Sequence, residues 1–91
     1  MPKIALLKGM LLFFWVAENG EPIHFHVVRG KPGEPDAKFW LTRSGGCILA
    51  SNSARLSVRD IALVRKYAIL NFDEICEQWA NLFEEDPTFY C

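Results

Sequence analysis

The chain has 91 residues, 51% of them hydrophobic and 23% charged, with a formal net charge of −1. That is one domain with a small but real core, and it excludes a disordered chain. All ten Lys and Arg residues lie between Lys3 and Lys66, whereas Tyr67–Cys91 holds six acids and no base, so a mildly basic body carries an acidic end.

The elements follow in chain order from hydrophobic period and turn chemistry. Ile4–Leu7 reads as a short strand ending at Gly9, and Leu11–Ala17 as a fully buried strand rich in aromatics. The apolar stretch Ile4–Ala17 spans only 14 residues and is broken by Lys8 and Gly9, too short to cross a bilayer. It also lacks small residues at both cleavage positions of a leader, so no targeting or anchoring segment is expected. Glu18-Asn19-Gly20-Glu21 has the chemistry of a hairpin turn, and Ile23–Arg29 alternates as the returning strand. Gly30–Pro35 is a loop with two prolines and two glycines. Ala37–Leu41 is the next strand, with Ala37, Phe39 and Leu41 on one face and Lys38 and Trp40 on the other. Ser44-Gly45-Gly46 turns the chain into Cys47–Ala50.

The last third is helical. Ser57 with Asp60 predicts a capped start, backed by a hydrophobic staple between Leu56 and Ile61, and Asn71 with Glu74 repeats the device. Two helices are expected, Val58–Ile69 and Phe72–Glu84. On the second, Phe72, Ile75, Cys76, Trp79, Leu82 and Phe83 share one side. Strands first and helices last predict an α+β domain: a mainly antiparallel sheet of four to five strands with two helices on one face.

Cys47, Cys76 and Cys91 are odd in number and widely spaced, which fits a reducing cytoplasm and not a disulfide framework. The chemically pointed stretch is Glu21-Pro22-Ile23-His24-Phe25-His26, which contains both histidines of the chain. Alternation on a strand projects His24 and His26 to one side, their roots roughly 6.5–7 Å apart. Three uses follow. The pair could hold zinc if a third ligand came from Glu18, Glu21 or elsewhere. It could act as acid and base of a metal-independent nuclease, with Glu21 orienting the rings. It could instead be structural or serve recognition, the imidazoles bonding the turn carboxylates and stiffening the hairpin, and this last reading leads, with no cofactor expected. A second candidate surface, for nucleic acid or a partner, is the basic set Arg55, Arg59, Arg65 and Lys66, joined by Trp40, which shares a strand face with Lys38.

The opening Met1-Pro2, the segment Gly9–Val16, Glu21-Pro22-Ile23-His24-Phe25-His26-Val27, Ala37-Lys38-Phe39-Trp40-Leu41, and Ile75–Trp79 with Phe83 together carry a resemblance. The chain resembles, over nearly its whole length, a family of small bacterial proteins of the Pro-x-His-x-His type. That family is catalogued as domain of unknown function number four-one-six-zero. Ile23 departs from the pattern, where a second proline is commoner. The resemblance implies a companion small protein encoded beside it, in a toxin–antitoxin-type two-gene module, and supplies no catalytic residues. The expectation is therefore a cytoplasmic partner-binding protein without a membrane segment. The alternative is a small nuclease acting on RNA through His24, His26 and Glu21.

Overall fold

The computed structural model describes residues 2–16 and 20–91. Five strands, β1 (Lys3–Leu7), β2 (Met10–Phe13), β3 (His24–Val28), β4 (Ala37–Leu41) and β5 (Cys47–Asn52), precede two helices, α1 (Val58–Leu70) and α2 (Phe72–Phe83). The strands form one antiparallel sheet in the order β1-β2-β3-β4-β5. The arrangement is α+β, as the order of elements implies.

Local chemistry explains most joints. Lys8 and Gly9 both take positive φ, 45° and 81°, between the paired residues Leu7 and Met10. This is the two-residue hairpin geometry whose twist matches the strands it joins. At the β4–β5 turn, Gly45 adopts φ 90° and its N–H bonds to the Thr42 carbonyl, while Gly46 N donates to Thr42 Oγ1. Ser57 caps α1 in a reciprocal box: its hydroxyl accepts from Asp60 N and its own N–H donates to the Asp60 carboxylate.

The alternation of β4 appears as expected, with Ala37, Phe39 and Leu41 fully buried and Lys38 and Trp40 half-buried. With Met10 and Leu12 of β2, Phe25 and Val27 of β3 and Cys47 of β5, they form the sheet side of the core, closed by Val64, Ala68, Ile75 and Trp79 of the helices. Around it pack the α2 positions Phe72, Cys76, Leu82 and Phe83.

Three expectations are corrected. β2 stops at Phe13, although Phe14 N still donates toward the β1 side, to the Pro2 carbonyl at 3.0 Å. The connection to β3 is accordingly longer than a four-residue hairpin, since Phe13 pairs directly with His26. The turn Glu18-Asn19-Gly20-Glu21 itself falls partly on residues 17–19, outside the described residues, as does Glu18. Second, β3 does not alternate in burial; all five of its residues are buried, because its second face is covered as well. Third, Asn71 does not cap α2. Its amide donates backward to the Tyr67 carbonyl at 2.9 Å, finishing α1, and among the described residues the Asn71 side chain makes no cap hydrogen bond to α2. With one residue between the helices, its side chain serves the carbonyls behind it.

Candidate functional site

The register puts His24 opposite Trp40 and His26 opposite Lys38 across β3 and β4, and Phe13 opposite His26 across β2 and β3. Paired residues share a face, so both histidines lie on the sheet face opposite Phe25 and Phe39. Their rings are 5.2 Å apart, edge to face. The common side expected from spacing is therefore present.

The exposure is not what a reactive pair requires. His24 is 1% exposed and His26 7%. The His24 ring lies 5.4 Å from Trp40 and 5.5 Å from Trp79, and Trp79 also reaches Phe14 at 5.4 Å. His26 sits by Phe13 at 5.7 Å and Trp15 at 6.4 Å. His24 Nδ1 donates to the Pro22 carbonyl at 2.9 Å, which puts a proton on that nitrogen because a carbonyl can only accept. The pair is a component of an aromatic cluster.

The carboxylate beside the histidines is Asp36, whose Oδ2 is 3.5 Å from His26 Nδ1. Glu21 is drawn elsewhere: it accepts from Lys38 Nζ at 3.2 Å. Lys38 in turn lies 4.2 Å from the centre of the Trp40 ring. Strand parity could have found Asp36, which stands two residues before Lys38 and so extends its face. No sequence signal marked Trp79 for the histidines, since it arrives from α2. Among the described residues no three His, Cys, Asp or Glu side chains converge closely enough to hold a metal ion. Burial pushes the Cys47 thiol up to about 12 and also raises that of the half-buried Cys76, so neither is a ready thiolate.

The basic set is dispersed. Arg55 lies in the bend before α1, at φ 58°. Arg59 lines a hollow with Lys8 and Arg29, where Arg29 pairs with Asp60 at 2.6 Å. Lys66 lines a different depression with Arg65, Ala62, Ile69 and Leu70. Arg65 reaches the sheet, where its Nε donates to the Cys47 carbonyl at 2.9 Å. There it lines a cavity of about 680 Å³ with Arg43 and with Ile48, the cross-strand partner of Trp40. Arg65 lines that cavity, whereas Trp40, Arg55, Arg59 and Lys66 are not part of its wall.

At the other edge, Leu6 of β1 is 71% exposed, opposite Leu11 of β2. Both line a hollow of about 460 Å³ with Ile4, Ala5 and Arg29.

These features define an α+β protein with a five-stranded meander, two C-terminal helices and a histidine–tryptophan cluster to which α2 contributes Trp79. The chain belongs to the family described as Domain of unknown function (DUF4160), whose model matches residues 9–80. The matched segment takes in His24, His26, Asp36, Trp40 and Trp79. No curated protein and no solved structure matches the chain. Among the described residues no helix is long and apolar enough to cross a membrane.

Proposed function

We propose that the protein is the partner-binding half of a toxin–antitoxin-type two-gene pair, working by contact with a small protein encoded beside it and using no metal. The observation that supports this reading is the β1 edge. An edge strand presents unpaired backbone donors and acceptors, a template for a strand of another chain. Here the edge carries Leu6, 71% exposed, above a hollow lined by Leu11 and Ile4. Covering one such leucine contributes about 1.5–3 kcal/mol to a complex. The opposite edge is less open, because Arg65 occupies the Cys47 carbonyl of β5.

The test is co-purification of the protein with the product of the adjacent gene. Leu6→Lys should leave the fold intact and weaken capture by about tenfold or more, as expected for removing one well-buried apolar anchor. Undiminished capture by Leu6→Lys would sink the β1 edge as the docking strand.

A nuclease reading keeps one favourable observation, the 5.2 Å approach of the two rings with Asp36 beside one of them. Their burial weighs against it, because acid–base catalysis needs the substrate within hydrogen-bond reach. Replacing His24 and His26 by glutamine in a folded variant separates the two. The partner-binding role predicts unchanged complex formation and no loss of RNA cleavage, whereas catalysis through these rings predicts a fall of at least about a hundredfold.

A further inference from the structure

Trp40 and Tyr90 stack face to face, with centroids 4.9 Å apart and planes 4° from parallel. Lys38 lies against the Trp40 ring as well, yet Tyr90 remains 59% exposed. A stacked pair with an exposed outer ring offers a flat surface onto which a further ring can stack.

Beside it lies the cavity of about 680 Å³, and two links in the backbone tie the features together. Ile48, which lines that cavity, pairs with Trp40, and Cys91, the neighbour of Tyr90, lines it too and accepts from Arg43 N at 2.8 Å. The cavity wall contains Arg43 and Arg65, the hydroxyls of Thr42 and Ser44 and, among the described residues, no Asp or Glu side chain.

One of the two arginines is anchored. Arg65 is anchored through Nε to the Cys47 carbonyl, which leaves its two terminal nitrogens for other partners. The Arg43 guanidinium stands 6.0 Å from the centre of the Phe89 ring. A guanidinium fixed by a third contact loses less freedom on pairing with a phosphate, and its planar fork matches the oxygens of that group. Of the acids preceding Tyr90, Glu85 accepts from Gly20 N, on another part of the molecule.

We propose that Tyr90, stacked on Trp40, and the arginine pair Arg43 and Arg65 form a binding site for single-stranded nucleic acid, one base on the tyrosine and the adjoining phosphate in the cavity. The site lies apart from the β1 edge and does not depend on the partner-binding reading. Of the α1 charges it takes Arg65, while Arg59 lines a separate hollow.

The experiment is fluorescence anisotropy of the whole protein with a short labelled oligouridylate and the matching oligothymidylate, at low salt and at roughly 200 mM salt. The expected result is salt-sensitive binding of at least one strand. Tyr90→Ala and Arg43→Ala should each weaken it by about tenfold. Tyr90→Phe should bind as the wild type does, because the ring face is retained. Arg59→Ala should have no effect. Tyr90 and Arg43 are exposed, so these variants should fold, and near-ultraviolet circular dichroism verifies it. Preference for the uridylate assigns the site to RNA, and equal binding assigns it to single strands of either sugar. Three outcomes overturn the proposal: no binding of either strand, equal weakening by Arg59→Ala, or displacement of the strand by inorganic phosphate at the same molar concentration.

Discussion

Cys47 shows burial setting reactivity one residue at a time. Desolvation raises its thiol to about 12 from 9.0, against a smaller opposite pull from the Arg65 guanidinium. A raised acid pKa favours the protonated thiol in the folded state. The resulting stability is present below pH 9 and is lost as the pH rises from 9 toward 12, where the unfolded thiol ionises first. A thiol reagent at pH 8 should therefore modify the exposed Cys91 quickly and Cys47 only at the rate of unfolding, a difference that mass spectrometry of timed samples reads directly. Asp60 shows the opposite sign. The hydrogen bond from Arg29, followed by that from Ser57 N, lowers its carboxyl below 3.8. The contribution is present above that value and disappears as the pH falls through the folded pKa. Asp60→Asn should be less stable than the wild type at pH 7, and the two urea midpoints should converge in strong acid. Equal midpoints at pH 7 would show the Arg29 pair contributes nothing there. The spacing Ser57-x-x-Asp60 was readable from the chain, but the Arg29 partner was not, because it arrives from the end of β3.

The helices show where local rules succeed and where a neighbour overrides them. Both cap signatures are equally plain in sequence, yet Ser57 acts as written and Asn71 turns backward onto Tyr67. Ser57→Ala should therefore cost about 1 kcal/mol. Asn71→Ala should cost about 0.5–1.5 kcal/mol through the end of α1. If Asn71→Asp, which keeps the cap acceptor and discards the amide donor, were as stable as the wild type in urea unfolding, that assignment would fail. Strand periodicity located β4 to the residue, since Ala37, Phe39 and Leu41 alternate with Lys38 and Trp40. It misjudged β3 because alternation describes a strand with one wet face, and the second face of β3 is covered by Phe13, Trp15, Trp40 and Trp79. The common side of His24 and His26 was legible from period two alone. Their burial was not.

At the scale of the whole molecule, residues 87–91 hold the end of the sheet. Thr88 and Cys91 accept from Ile23 N and Arg43 N at 2.8 Å each, Phe89 stacks on Phe72, and Tyr90 on Trp40. Removing Pro87–Cys91 uncovers Trp40 and leaves two backbone donors without these partners. A loss of about 2–5 kcal/mol is expected from the two orphaned groups and the uncovered rings, measurable by urea unfolding. The chain's own pattern determined the order of elements, the faces of β4 and α2, the α+β class and the shared side of the histidines, because these follow from side-chain period and caps acting over a few residues. Only the tertiary structure decided that the histidines are enclosed, that Glu21 turns to Lys38 while Asp36 approaches His26, and that Arg65 reaches the Cys47 carbonyl of β5 while Arg59 lies in another hollow. Each depends on side chains far apart in the chain, whose meeting is set by sheet register and helix packing.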